Sequence, residues 1–251
     1  YAPISLHNGE KLTLPNIEKL DSITQGDHEA RAGLRDLLSR QFEQGRETGA
    51  VRSHAAAYAR VHGLMSCEKL FDLSDEPQKL KDTYGPTQFA EQVMMARRMV
   101  ESGVPFVRVS RAWWDSHGQN FETHQELVPE LDRVLAALID DLKQRGMLDD
   151  VLVVTMGEFG RTPRINGSLG RDHFATAWSA SLHGCGVKGG AVFGKTDAKG
   201  EKVTEGEIGA GELFATILEA AGINHQKEYH VGARPIPLVN PGIKPIKEVL
   251  A

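Results

Sequence analysis

The stretch VLVVTM, residues 151–156, decides the fold class of this chain. Its side chains are apolar on both faces, which is typical of a central strand in a parallel sheet. The clearest helix precedes it at residues 126–145, where apolar residues recur at helical spacing. A short strand at residues 104–109 precedes that helix. This order of elements predicts a right-handed βαβ unit, and therefore an α/β fold with a parallel sheet flanked by helices.

Outside this unit, the pattern is mainly helical before residue 104 and irregular near the end of the chain. We therefore predict a helical segment at residues 1–103 that packs on an α/β core at residues 104–251. The core ends in a proline-rich tail from Arg234 onward. Periodicity and stop signals predict further helices at 27–46, 54–70, 86–102 and 212–221, and weaker strands at 177–182 and 191–193.

Bulk composition excludes several classes of function. The 251 residues carry a formal net charge of -5 at pH 7, so no basic excess is available to bind a nucleic-acid backbone. No apolar run approaches the roughly 18–20 residues of a transmembrane helix, and no signal peptide is visible. The two cysteines, Cys67 and Cys185, make no disulfide framework and leave the cellular compartment open.

The run WWDSHGQN, residues 113–120, contains the first candidate metal ligands. Asp115 and His117 are alternate residues of an extended segment, and alternate side chains project to the same side. The pair can therefore present a carboxylate and an imidazole to one ion. In the structural alternative, Asp115 caps a turn and His117 is an exposed or hydrogen-bonded histidine. His124, near the start of the long helix, is a further candidate ligand.

Glu158 is the second candidate, because it follows the strand at residues 151–156 and lies between two glycines. The carboxyl ends of strands are where open sheets bind ligands. The alternative is an ion pair between Glu158 and Arg161 or Arg164. Both roles are compatible with one another.

The run GRDH, residues 170–173, contains the third group of candidates. His173 would complete a ligand set with Asp115 and His117, which leaves Glu158 for a second ion. Asp172 would be a further ligand or the group that orients His173. In the alternative, Asp172 pairs with the neighbouring arginine and His173 is only a hydrogen-bond donor beside the site.

Three arginines lie close in sequence to these ligands. Guanidinium groups beside a metal suit a tetrahedral oxyanion such as phosphate or sulfate, so Arg161, Arg164 and Arg171 are candidates for binding one. The alternative is that they are solvated charges or partners of carboxylates. Ser116 and Thr162 are hydroxyls near the site, but neither lies in a strand-to-helix elbow, and no catalytic nucleophile is identified.

The three motifs together resemble a bacterial domain-of-unknown-function family, number fifteen-oh-one, which is often labelled sulfatase-like. Its members carry Trp-Asp-x-His-x-x-Asn, then Met-Gly-Glu-Phe-Gly-Arg-Thr-Pro, then Gly-Arg-Asp-His. These motifs stand here at residues 114–120, 156–163 and 170–173, and the flanks between residues 89 and 237 are similar as well. The family belongs to the alkaline phosphatase and sulfatase superfamily.

The resemblance implies an alkaline-phosphatase-like α/β core that holds two metal ions. Superfamily members hold one ion with an Asp and two His, and Asp115, His117 and His173 match that set best. At the second site an Asp-His pair is usual. Glu158 and Phe159 stand there instead, so the second site departs from the pattern.

The first 103 residues show neither the early strand with its metal-binding Asp nor the Ser or Thr nucleophile of the superfamily. We therefore expect a sheet that is incomplete at its N-terminal side, in a chain that resembles the C-terminal part of such a protein. The missing upstream segment would be a separate chain or a removed piece. The resemblance also implies export, for example to the periplasm.

The leading hypothesis is a metal-dependent hydrolase of phosphate or sulfate esters that acts on a small molecule or a polysaccharide. Mixed oxygen and nitrogen ligands favour zinc or manganese over calcium or magnesium. The missing segment or a metal-bound hydroxide would supply the nucleophile. The rival hypotheses are a non-catalytic binding or assembly protein that retains the fold, and a phosphoglycerate-mutase-like isomerase.

Overall fold

The structure is a computed structural model and describes residues 7–8, 12–13, 20–44, 53, 56–59, 61, 63 and 68–251. Two compact units are present. The first comprises Tyr1–Lys81 and Met94–Val107, and the second comprises Asp82–Val93 and Arg108–Ala251. These units are interleaved along the chain and define no single boundary, so the predicted division after residue 103 stays a prediction.

Helix α1 (Gln25–Glu43) lies in the first unit and begins at Thr24 with a capping box. The Thr24 hydroxyl accepts from the Asp27 N–H at 3.1 Å, and the Asp27 carboxylate accepts from the Thr24 N–H at 3.4 Å. The helix predicted at 27–46 is therefore confirmed, with slightly different ends. Of the helix predicted at 54–70, residues 56–59, 61 and 63 are helical and residues 68–70 belong to a 3-10 turn, while the rest of that prediction lies outside the described residues.

The later helices confirm the predictions at 86–102, 126–145 and 212–221. The longest of them begins at Asn120, earlier than predicted, because its first turns carry none of the apolar stripe that starts at Leu127. The described residues give α2 (Gln78–Tyr84), α3 (Gln88–Glu101), α4 (Asn120–Gln144) and α5 (Ala210–Ala220), with 3-10 turns at Glu68–Phe71 and Lys247–Val249.

Helix α4 carries much of the core of the second unit. Its apolar stripe is buried, for example at Leu127 and Leu142. Near its end, the buried carboxylate of Asp141 accepts from the Tyr84 hydroxyl at 3.1 Å and from Arg145 Nε at 2.7 Å. Because a buried carboxylate needs hydrogen-bond partners, these bonds tie the segment around Tyr84 to the end of the helix.

The strands of the described residues form two-stranded antiparallel pairs. In the longest pair, between residues 152–156 and 180–184, Leu152 lies opposite Gly184. This pairing corrects the prediction of a parallel sheet, whereas the mixed helix and strand content agrees with the α/β class. The pairs are β1 (His7–Asn8) with β2 (Leu12–Thr13), β3 (Leu152–Met156) with β6 (Ala180–Gly184), β4 (Gly160–Arg161) with β5 (His173–Phe174), β7 (Lys195–Thr196) with β8 (Val203–Glu205), and β9 (Glu228–Val231) with β10 (Arg234–Pro237).

The strand predicted at residues 104–109 is wrong, and so the βαβ unit is absent from this part of the chain. The Val104 N–H donates back to the Met99 carbonyl at the end of α3, and Pro105 has no N–H to donate. Residues 104–109 have no strand pairing, and Phe106 is 80% exposed. An apolar run is compatible with parallel and with antiparallel pairing, which explains why residues 151–156 did not distinguish the two.

The weaker strand predictions have mixed outcomes. The strand expected at 177–182 begins three residues later, as β6. Residues 191–193 form no strand: they lie between Gly190 and Gly194, which both have positive φ, and Val192 is 91% exposed. Among the described helices, none combines the length and the apolar character that a membrane crossing requires.

A buried ion-pair network lies in the first unit. Glu76 pairs with Arg97 at 2.6 Å and with Arg98 at 3.0 Å, and Arg97 also pairs with Glu101 at 2.7 Å. Burial raises the pKa of Glu76, but the bonds from Arg97 and Arg98 outweigh burial and hold the pKa below its ordinary value of 4.5. The ionised carboxylate therefore stabilises the folded unit.

We predict that Glu76→Gln lowers the free energy of unfolding at pH 7 by about 2 kcal/mol. This is less than the roughly 3–5 kcal/mol of breaking an isolated buried pair, because Glu101 still partners Arg97. A folded-state pKa below the unfolded value gives stability that is present above pH 4.5 and is lost as the pH falls through the folded pKa. Urea unfolding at pH 7 and at about pH 3 checks this prediction, because the difference between variant and wild type must shrink in acid. An equal difference at both values would contradict it.

Candidate metal centre

Three of the predicted ligands lie together on the surface of the second unit. Oδ1 of Asp115 is 2.9 Å from Nε2 of His173 and 3.1 Å from Nδ1 of His117. The three ligand atoms all lie within 4.8 Å of one another. Each side chain is about half exposed, so an ion or a ligand can reach the group from solvent.

The antiparallel pair of β4 and β5 places two residues of the site side by side. Arg161 lies opposite His173 in the register, so both side chains leave the same face of the pair. Nη2 of Arg161 reaches Oδ1 of Asp115 at 2.6 Å. Gly160 permits this arrangement, because a Cβ at that position would lie 2.0 Å from the Ala177 carbonyl oxygen.

Main-chain contacts hold the loop of Asp115 and His117 against the segment that leads into β5. The Arg171 N–H donates to the Ser116 carbonyl at 2.9 Å. Gly170 is buried against the loop, and a Cβ there would lie 2.0 Å from the carbonyl carbon and oxygen of His117. Glycine is therefore required for the two backbones to approach this closely.

Asn166 joins the two segments through its side-chain amide. Its Nδ2 donates to the His117 carbonyl at 3.0 Å and to Oδ1 of Asp172 at 2.9 Å. Its Oδ1 accepts from the N–H groups of Ser168 and Gly170, both at 2.9 Å. Sequence reasoning missed this residue. The available signal was the Asn-Gly dipeptide, which marks a tight turn but does not reveal a distant partner.

Strained backbone surrounds the ligand group. Trp113, Gln119 and Leu169 have φ angles of 76°, 51° and 57°, and in the described part of the chain they are the non-glycine residues with positive φ. Each such residue costs about 1–3 kcal/mol and persists only where surrounding contacts impose it. All three lie within four residues of Asp115, His117 or His173. Stored strain at one surface cluster is typical of a functional site.

Glu158 and Asp172 are not part of the ligand group. Glu158 is exposed in the connection between β3 and β4. Asp172 organises its own loop: its N–H donates to the Thr162 hydroxyl at 3.1 Å, and its carbonyl accepts from the Thr162 N–H at 3.0 Å. Its carboxylate is held by Asn166. Metal binding by either residue stays a prediction.

The predicted oxyanion-binding arginines are placed differently from one another. Arg161 contacts the ligand group, whereas Nη1 of Arg171 donates to the carbonyls of Thr162 and Pro163 at 2.6 and 2.7 Å. Arg164 is exposed. Arg171 therefore stabilises the loop, and Arg161 is the arginine that the fold brings to the ligands.

His124 is engaged away from the ligand group. Its Nδ1 lies 2.7 Å from the Asn120 carbonyl in the first turn of α4, and its ring packs edge-on against Trp114. The nearby hydroxyls are occupied as well. Ser116 is buried and donates to Oδ1 of Asn120 at 3.0 Å, and Thr162 donates to the Arg164 carbonyl at 2.9 Å.

Asp115 is held in its ionised form. The hydrogen bond from His173, followed by the bond and the charge of Arg161, lowers the pKa of Asp115 below its ordinary value, while slight desolvation opposes them. A carboxylate must be deprotonated to bind a metal, so this ligand is ready at neutral pH without releasing a proton.

Two of the three ligand separations are close to those around a first-row divalent ion, whereas the three atoms together span up to 4.8 Å. Zinc lies roughly 2.0–2.1 Å from its nitrogen and oxygen ligands, which places tetrahedral ligand atoms about 3.3 Å apart. The distances from Asp115 to the two imidazoles, 2.9 and 3.1 Å, are close to that value. Two imidazoles and one carboxylate leave a coordination position for water or substrate, which is the pattern of catalytic zinc.

The chain belongs to a family without an assigned function. The model of the family described as "Protein of unknown function (DUF1501)" matches residues 1–250, nearly the whole chain. No curated protein and no solved structure matches the chain. Membership of the domain-of-unknown-function family that the motifs resemble is therefore confirmed.

We predict that Gly170→Ala weakens metal binding at least tenfold, because the new Cβ would collide with the His117 backbone and separate the two segments. Gly167→Ala is the matched control: nothing lies within 4 Å of a Cβ there. Equilibrium dialysis with zinc, together with circular dichroism to verify folding, measures the effect. Equal affinity in both variants would show that the docking of the two segments does not shape the site.

Proposed function

We propose that the protein is a metal-dependent hydrolase of phosphate or sulfate esters. The observation that carries the proposal is the convergence of Asp115, His117 and His173, with the Arg161 guanidinium on the same carboxylate oxygen. A metal site beside an arginine is suited to a tetrahedral oxyanion, because both charges attract the nonreacting oxygens.

Asp115, His117 and His173 would hold the ion, and zinc or manganese suits their mixed oxygen and nitrogen atoms. When bound, such an ion polarises an ester oxygen and lowers the pKa of bound water. The exposure of the group leaves room for an ester on the solvent side. Arg161 would orient the ester's oxygens, and Arg164 is near enough in sequence to assist.

We further propose that the fold is that of the alkaline phosphatase and sulfatase superfamily, as the three motifs suggest. In this proposal, further strands pair with the edge of β3 that β6 does not occupy. Those strands, in another chain, would bring the nucleophile and the remaining ligands of a second ion near Glu158 and Asp172. Export to the periplasm and small-molecule or polysaccharide esters as substrates belong to the same proposal.

One observation favours a second candidate, a non-catalytic binding or assembly protein that retains the fold. The two hydroxyls that the sequence places beside the site, Ser116 and Thr162, are hydrogen-bonded to Asn120 and to the Arg164 carbonyl within the loops. An ion held by Asp115, His117 and His173 would meet this objection, because it would activate water and so require no side-chain nucleophile. The two candidates therefore differ in ester turnover.

We predict that His173→Ala lowers zinc affinity by more than about a hundredfold, because even the loss of an outer-shell partner costs about 10–100-fold. His230→Ala is the control, since His230 is an exposed histidine of the same unit outside the ligand group. Metal content after dialysis is measured by mass spectrometry. Hydrolysis of 4-nitrophenyl phosphate and 4-nitrophenyl sulfate is measured in parallel with zinc and with manganese.

Turnover of either ester by the wild type, lost in His173→Ala and kept in His230→Ala, supports the hydrolase. Metal binding that depends on His173, with no turnover of any phosphate or sulfate ester, would replace the hydrolase with the second candidate. Metal content that is unchanged in His173→Ala would overturn the hydrolase.

A further inference from the structure

Arg161 occupies the oxygen atom that the proposed metal needs. Oδ1 of Asp115 receives Arg161 Nη2 at 2.6 Å, His173 Nε2 at 2.9 Å and His117 Nδ1 at 3.1 Å. Three nitrogen atoms thus converge on one carboxylate oxygen, which has only two lone pairs. The three cannot all remain there once the oxygen binds an ion.

The three nitrogen-containing groups differ in whether they can become metal ligands. Each imidazole can present a lone pair and turn from a hydrogen-bond partner of Asp115 into a metal ligand. The Arg161 guanidinium keeps its charge at any accessible pH and has no lone pair to offer. An ion beside Asp115 also repels it. Arg161 is therefore the group that must withdraw when the ion binds.

The surroundings of Arg161 permit that withdrawal. Its other polar contact, from Nη1 to the Arg171 carbonyl, is long at 3.4 Å, and its guanidinium lies 5.7 Å from the Phe159 ring. Arg171 is held more firmly by its own loop, because two hydrogen bonds shorter than 2.8 Å fix its Nη1 to main-chain carbonyls. Arg161 is thus held chiefly by Asp115, and it stays on the same strand face as His173 if it turns.

We propose that Arg161 couples the metal to the oxyanion: it competes with the ion for Asp115 when no anion is present, and it holds a sulfate or phosphate group beside the ion when one arrives. This inference rests on the metal site of the proposed function and adds its regulation. Because linkage is reciprocal, the anion must tighten metal binding by the same factor by which the metal tightens anion binding.

The test is the zinc affinity of the purified protein, measured by competition with a chromophoric chelator. Sulfate is the probe, and sodium chloride at matched ionic strength is its control. The variants are Arg161→Ala and, as a matched control, Arg234→Ala, because Arg234 is an exposed arginine in another strand pair of the same unit. Free zinc is read from the chelator, so zinc that sulfate itself binds is accounted for.

The wild type and Arg234→Ala are expected to bind zinc about tenfold more tightly in sulfate than in chloride, within the usual range of coupling between sites. Arg161→Ala is expected to bind zinc several-fold more tightly than the wild type in chloride, because the competitor is gone, and to show no response to sulfate.

Weaker zinc binding by Arg161→Ala in chloride would overturn the inference, since Arg161 would then hold Asp115 in place for the ion. A sulfate response that survives in Arg161→Ala would overturn it as well. Both results leave the metal site intact. Failure of the wild type to bind zinc in either salt would instead overturn the proposed function along with this inference.

Discussion

The close contact between the backbone at His117 and Gly170 is the constraint from which the surface site follows. Two segments more than fifty residues apart in sequence meet there without room for a side chain. The amide of Asn166 and the Arg171 N–H fasten the contact with hydrogen bonds to main-chain carbonyls. Since these bonds involve backbone atoms, they fix where the loops lie and leave the ligand side chains free to face solvent.

The same contact connects the site to the stable part of the second unit. Asn120, the first residue of α4, is buried, bonded to Ser116 through its side chain and to the Leu169 carbonyl through its N–H. From there the helix runs through the core of the second unit. Near the other end of the helix, the buried Asp141 carboxylate accepts a hydrogen bond from Tyr84. The rigid helix therefore anchors loops whose strained residues would otherwise relax.

Sequence reasoning found what is local or compositional. Helical periodicity gave most of α1, α3, α4 and α5, and the residue types and spacing of Asp115, His117 and His173 singled out the three residues that the fold brings together. It could not find Asn166, because the partners of an amide are set by tertiary contacts. It also misjudged residues 104–109 and the sheet, since strand pairing depends on residues distant in sequence.

The charges at the ligand group are compatible with two arrangements, one without a metal and one with a metal. Asp115 interacts with the guanidinium of Arg161 and with the imidazoles of His117 and His173. The hydrogen bond from His173 makes the largest contribution to lowering the pKa of Asp115. In the first arrangement, the three groups form an ion-pair cluster without a metal. In the second, a cation binds Asp115 and the imidazoles, and coordinate bonds replace the hydrogen bonds. The first requires protons on the imidazoles, and the second requires their lone pairs.

X-ray absorption spectroscopy of the zinc-loaded protein distinguishes these two arrangements directly. We predict a first shell of nitrogen and oxygen atoms at about 2.0–2.1 Å, with the outer-shell scattering of two imidazole rings. A shell with sulfur at about 2.3 Å, or one without imidazole scattering, would place the ion elsewhere and contradict a metal centre at Asp115, His117 and His173.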